Sequence, residues 1–333
     1  MSLKNSIDLK VLTITSEWPT PEHPYSGKFV QLQVQLLREH GVEVEVYPFR
    51  GKKNPFRYFS FIKEIRQIAR QKNFDLVHCQ FGQSGLLGLT TGLPMVVTYR
   101  GTDLNGYVDE EGRESIKSKA LTAISRFVAK RADQVITVSH RLATKLPKNV
   151  NYKVNPSSLN LDLFKPISKQ EARKKLRLDE NAKIIFFPAD PKKKVKRYPL
   201  AKEAFDLFSN AYENTQLLYA GNIDFQTMPY HYNAADVIVF TSSSEGSPNA
   251  IKETMACNRP IVTVDVGDVK ERLEFADGCY IVEDDAKQIA ELLIKVIEEK
   301  KEIKTRELVS NLSGDNLTKE LIDIYKEVVD KSE

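Results

Sequence analysis

The sequence predicts an α/β protein of two domains, each built on a parallel sheet, and three observations carry this. At 333 residues the chain is long for one hydrophobic core, which favours two domains. Short apolar runs recur along it with helical stripes between them, and such βα alternation builds parallel sheets. The alternation breaks once, between Tyr152 and about Ala182, and then resumes. One domain is therefore expected at 1–155 and the second at 156–314.

Leu9 to Thr15 reads as the first strand. The loop that follows, SEWPTPEHPYSG, is too rich in proline and glycine for regular structure. Phe29, Leu32, Gln33, Leu36 and Leu37 then form a helical stripe closed by Gly41, and Val42 to Tyr47 alternates as a half-buried strand. Phe74 to Val77, Met95 to Tyr99 and Gln134 to Val138 are further buried strands. The second series begins with Lys183 to Phe187, a helix over about 199–211 and a strand at Gln216 to Ala220. Ile281 to Val296 supplies a strand end and an amphipathic helix, and Leu317, Leu321, Ile324, Tyr325 and Val328 mark a last helical stripe.

Most of the functional information lies in 237–264, VIVFTSSSEGSPNAIKETMACNRPIVTV. A buried strand, Val237 to Phe240, gives way to a small polar loop, and Ser247-Pro248 signals a helix start. Ligands collect at the carboxyl ends of strands in open α/β sheets, and a helix start offers free N–H groups suited to phosphate. Gly246 and the serines allow close approach to the backbone. Glu245 and Glu253 flank this anion site. Carboxylates repel phosphate, so their partners are expected to be neutral hydroxyls of a sugar or ribose. A diphosphate paired with a polyol describes a nucleotide-sugar; solvated glutamates on an ordinary strand–loop–helix are the plain alternative.

The string E-G-S-P-N-x-x-x-E-x-x-A-C resembles the E-x7-E motif of retaining glycosyltransferases of the GT-B fold, family four. V-T-Y-R-G-T-D at 97–103 resembles the family's T-x-H-G-x-D stretch, with Arg100 in place of histidine. Arginine stays protonated and cannot act as a base, so Arg100 either plays no such role, holds an anionic acceptor, or caps the turn with Asp103. VNPSSLNLDLFKP resembles the family's interdomain connection. In P-A-D-P-K-K-K-V-K-R-Y, Lys196 aligns with the family's diphosphate-binding lysine, while Ala189-Asp190 stands where the family has arginine and one of Lys192 to Lys194, taken here as Lys194, substitutes.

The resemblance implies two Rossmann-like domains facing a central cleft, with the last helix, about 315–333, packing back onto the first domain. It implies a retaining transfer of sugar from a nucleotide-diphosphate sugar to a glycan, lipid-linked or small-molecule acceptor, with no cofactor and no metal. The absence of any Asp-x-Asp agrees with the last point. Lys196, Lys194, Gly246, Ser247, Pro248 and Asn249 are expected on the diphosphate, Glu253 on the ribose and Glu245 on the sugar hydroxyls. Gly27, Arg100 and Asp103 are expected on the acceptor side, Gly27 also near the donor. Glu245, Arg100 and Asp103 are the candidate catalytic residues. The alternative is a non-catalytic sugar-nucleotide-binding or membrane-associated scaffold protein, which donor binding without turnover would favour.

Composition narrows the setting. A charged content of 28% with a net charge of +4 is too mild for a nucleic-acid binder, and no apolar run reaches the ~20 residues of a membrane span. With no signal-peptide core, a cytoplasmic location is expected. Cys79, Cys257 and Cys279 are widely spaced and read as buried thiols. Residues 50–73 hold eight Lys or Arg against one Glu, interleaved with Phe56, Tyr58, Phe59 and Phe61. Such a segment either rests on the inner face of an anionic membrane or turns its aromatics into the core.

Overall fold

A computed structural model describes residues 7–23, 26–49, 56–107, 115–221 and 223–332, with the backbone alone at 56 and 57. The chain divides into two compact units, Met1–Ser158 with Gly314–Glu333, and Leu159–Ser313.

The first unit runs β1 (Lys10–Thr15), α1 (Lys28–Glu39), β2 (Glu43–Pro48), α2 (Phe56–Gln71), β3 (Leu76–Gln80), α3 (Gly82–Gly88), β4 (Met95–Tyr99), α4 (Thr102–Asn105), α5 (Ile116–Ala129), β5 (Gln134–Thr137), α6 (His140–Ala143) and β6 (Tyr152–Val154). Its six strands are all parallel, in the order β2-β1-β3-β4-β5-β6. β3 (LVHCQ) and β4 (MVVTY) are buried at every residue, as central parallel strands covered on both faces must be.

The second unit runs α7 (Lys169–Leu176), β7 (Lys183–Phe187), α8 (Tyr198–Ser209), β8 (Thr215–Tyr219), α9 (Met228–Ala234), β9 (Val237–Phe240), α10 (Asn249–Ala256), β10 (Ile261–Val264), α11 (Val269–Leu273), β11 (Tyr280–Val282) and α12 (Ala286–Glu299). Its parallel strands lie in the order β11-β10-β9-β7-β8. α13 (Gly314–Asp330) then returns to the first unit, where Leu321, Ile324, Tyr325 and Val328 join Val30, Val34 and Leu37 of α1 in one core on the sheet.

Three local features differ from the sequence reading. The buried face of α1 is Val30, Val34 and Leu37, with Phe29, Leu32 and Leu36 at its flanks, because α13 covers that side. Tyr152–Val154 pairs with β5 as a sixth strand, so the first sheet extends into the stretch where the composition changes. Pro248 precedes the helix as its cap, with α10 beginning at Asn249.

The aromatics of α2 divide. Tyr58 packs edge-on against Phe49 and Phe61, and Phe61 packs tilted against Phe49, so both lie against the core, whereas Phe59 is 72% exposed. Residues 50–55 lie outside the described residues. No helix among the described residues is long and apolar enough to cross a membrane. The cysteines are free, and burial pushes the Cys257 and Cys279 thiols up to about 12, which makes them inert.

Candidate active site

In the second sheet the chain leaves β7 toward β8 and comes back on the other side as β9. Loops part at such a switch point and leave a crevice at the carboxyl ends of the strands. After β7 the chain enters a 3-10 turn, Lys194–Lys196, and Arg197 follows with a left-handed φ of 51°. Thr241 at the end of β9 fixes this turn: its Oγ1 donates to the carbonyls of Lys196 (2.8 Å) and Arg197 (3.0 Å), and its own carbonyl accepts from Arg197 Nε at 2.5 Å. The Ser243 N–H donates to the Val195 carbonyl at 2.9 Å. Arg197 also grips Asp284 bidentately, both bonds 2.6 Å, and this holds the Asp284 carboxyl below its usual range.

The stitching brings two predicted residues together: the Lys196 ammonium donates to Glu245 Oε1. Both side chains keep access to solvent, 27% and 18% exposed. Glu253, on the second turn of α10, accepts the Tyr232 hydroxyl at Oε2, 2.7 Å. Burial raises its carboxyl above the usual range, and the Tyr232 bond and the charges of Lys252 and Lys196 oppose the rise. Lys196 therefore acts electrostatically on both glutamates. Lys194 is exposed on the same turn.

The loop after β10 shapes the E-G-S-P segment. Ser247 Oγ donates to Asp268 Oδ2 at 2.8 Å, and Arg272 Nε donates to the same oxygen at 3.0 Å. Gly267, with φ +57°, lies so close that a Cβ there would sit 3.1 Å from both the Gly246 carbonyl oxygen and Pro248 Cδ. Asn249 Oδ1 is buried with no hydrogen-bond partner among the described residues. An orphaned acceptor costs about 1–3 kcal/mol, a penalty that a ligand N–H or O–H would relieve.

In the first unit the switch point falls between β1 and β3. Gly27, at the start of α1, has φ 66°, and a Cβ on it would lie 2.3 Å from the Glu17 carbonyl oxygen. Phe81, just past β3, holds a φ of 70°, which is strained for an aromatic residue. Asp103 is 1% exposed, and its carboxylate accepts the N–H groups of Gly101 (2.9 Å), Arg100 (3.2 Å) and Gly82 (3.4 Å). It braces the turn from beneath instead of lining an open surface. The Arg100 guanidinium does not pair with Asp103; it reaches Gln80, Gln33 and Ser157 and stacks over Phe29 at 4.7 Å. His140 is exposed beside Tyr152.

Comparison with known proteins matches each unit to a family. Glycosyltransferase Family 4 takes in residues 5–157, and Glycosyl transferases group 1 takes in residues 171–299. The chain is a GT-B glycosyltransferase. TuaC of Bacillus subtilis (strain 168), a glycosyltransferase ascribed to teichuronic acid biosynthesis, is 26% identical over 86% of this chain and 89% of its own. Sucrose-phosphate synthase from Thermosynechococcus elongatus shares the fold with a TM-score of 0.75 at 16% identity, over 96% of this chain and 99% of that one. HepE from Anabaena, in complex with UDP and glucose, gives 0.72 at 15% identity, over 96% and 99%.

The glycosyltransferase also uses residues that the sequence reading passed over. Arg197 and Thr241 set the lysine turn, and Gly267, Asp268 and Arg272 shape the glutamate loop. Gly267-Asp268 carries a readable signal, a glycine and a carboxylate just past a buried strand, the same arrangement as Glu245-Gly246. Arg197 is hidden in a basic run where composition favours the lysines.

Proposed function

We propose that the enzyme moves a sugar, with retention of anomeric configuration, from a nucleotide-diphosphate sugar to a glycan or lipid-linked acceptor without a bound metal. The observation that carries this is the meeting of Lys196 with Glu245, and of Lys196's field with Glu253, at the switch point of the second sheet. In this reading Lys196, Lys194 and the backbone N–H groups of Gly246, Ser247 and Asn249 hold the diphosphate, Glu245 takes the sugar hydroxyls and Glu253 the ribose. As the bond from the anomeric carbon to the phosphate oxygen breaks, negative charge grows on the leaving group, and fixed cations and helix N–H groups stabilise it. The acceptor oxygen bonds to the same face of the anomeric carbon, and its proton passes to the leaving diphosphate.

The UDP complexes of HepE and the role ascribed to TuaC support a UDP-sugar as the first donor to try and a polysaccharide as acceptor. With UDP-glucose in EDTA buffer, the anomeric proton of the first product observed by NMR keeps the small coupling of the α-linked donor, and added magnesium changes the rate by less than about twofold. An inverted first product, or a rate that vanishes in EDTA, contradicts the reading.

We also propose that α2 rests on an anionic bilayer through exposed Phe59 and the neighbouring Lys63, Arg66 and Arg70, which line one face of the helix. Each such cation contributes about 1 kcal/mol at an anionic surface. The protein is expected to sediment with phosphatidylglycerol vesicles but not with pure phosphatidylcholine, and Phe59→Ser with Lys63→Glu abolishes this. Equal sedimentation with both lipids counts against it.

A further inference from the structure

We infer that Arg100 is the receptor for an oxyanion, a carboxylate or phosphate carried by the acceptor close to the hydroxyl that receives the sugar. This rests on the transfer reading above and names the chemical class of its acceptor.

Among the described residues, the Arg100 guanidinium is held in place by direct bonds to neutral oxygens alone. Arg100 Nε and Nη2 donate to Gln80 Oε1 at 3.0 and 2.7 Å, Nη2 also donates to Gln33 Oε1 at 3.3 Å, and Nη1 donates to Ser157 Oγ at 2.9 Å. Every one of these acceptors is neutral. Gln80 Nε2 donates to Gln33 Oε1 at 2.8 Å, which turns both amide oxygens onto the guanidinium. The four bonds leave one of the five guanidinium N–H groups, on Nη1, without an acceptor among the described residues. No carboxylate among the described residues forms an ion pair with Arg100.

The carboxylates that act on Arg100 are Asp103, which sits on Arg100's backbone N–H, and Glu17. His78, beneath the network, donates or accepts with Tyr325 (2.6 Å) and Thr98 (2.8 Å), and burial together with the Arg100 charge brings it down to about 3, so it is neutral. Burial lowers Arg100 itself to about 10, so it remains a cation at neutral pH. A desolvated charge calls for a counter-charge, and one held rigidly by neutral oxygens waits for it from a ligand. Guanidinium geometry suits carboxylate and phosphate alike.

The test measures binding of three probes, D-glucose, D-glucuronate and D-glucose 6-phosphate, by saturation-transfer NMR to wild type, Arg100→Gln and Arg100→Lys. UDP-glucose-induced thermal stabilisation is read on the same samples. A charge-assisted hydrogen bond makes wild type prefer an oxyanionic probe over glucose by about 10-fold or more, with Arg100→Gln within about twofold of no preference and Arg100→Lys between them. Glucuronate ahead points to a uronic acid acceptor, and the phosphate ahead to a phosphorylated one. Equal binding of the three probes by wild type that still responds to UDP-glucose overturns the inference, as does a preference that survives in Arg100→Gln. Loss of the donor response in wild type overturns instead the transfer reading beneath it.

Discussion

Lys196→Ala lowers the transfer rate by about 10²- to 10³-fold, the usual cost of removing a fixed charge from a developing anion. The effect has two sources. The ammonium that would meet the diphosphate is gone, and Glu245, with which Lys196 pairs in the ligand-free protein, keeps its negative charge beside an incoming dianion without that ammonium. Glu245→Gln removes the second problem but also the carboxylate proposed to take the sugar hydroxyls, and is expected to slow transfer by about 10²-fold while weakening nucleotide diphosphate binding far less than Lys196→Ala does. The double variant therefore binds UDP more tightly than Lys196→Ala alone. Calorimetric binding of UDP and initial rates of UDP release check both statements. If UDP affinity is the same in Lys196→Ala and wild type, Lys196 is not on the diphosphate.

Gly27→Ala destabilises the first unit by about 2–5 kcal/mol and lowers its thermal midpoint by roughly 5–15 °C. Two costs add. The backbone there has φ +66°, which disfavours any side chain, and the new methyl would lie 2.3 Å from the Glu17 carbonyl oxygen and 2.9 Å from the Trp18 nitrogen, atoms of backbone that must move as a whole. Gly92→Ala separates the two. Its φ is +77° but a Cβ there meets nothing within 4 Å, so only the dihedral cost of about 1–2 kcal/mol applies. Calorimetric melting of both variants shows the difference; equal losses would mean that the loop bearing Glu17 yields without cost.

The elements of the fold are legible wherever a short run settles its own state. KIIFF at 183–187 and VIVF at 237–240 can only be buried strands, and both stand in the second sheet where the sequence puts them. Pairings across the chain are less visible. Lys196 and Glu245 are 49 residues apart, and what joins them is the adjacency of β7 and β9 together with Thr241, a residue of no distinctive type. The orientation of Arg100 depends on Gln33 and Gln80, 67 and 20 positions away, whose amides carry no periodic signal. Asp103 has the right type and spacing for chemistry, yet burial assigns its oxygens to backbone N–H groups, and burial of a single turn residue is not written in composition. In α2, equal aromatics at 58, 59 and 61 differ only in which way the helix turns them.

In the proposed reaction the second unit holds a nucleotide-diphosphate sugar between Lys196 and the two glutamates. The most direct measurement is the thermal stabilisation of wild type and Glu253→Ala by UDP-, GDP-, ADP-, CMP- and dTDP-sugars, with and without magnesium, since a ligand bound only to the native state raises its stability. A shift is expected for one nucleotide base, independent of magnesium, that disappears in Glu253→Ala while the ligand-free midpoint stays within the range of a folded protein. A wild type that responds to none of them, or a Glu253→Ala variant that responds as wild type does, would contradict it.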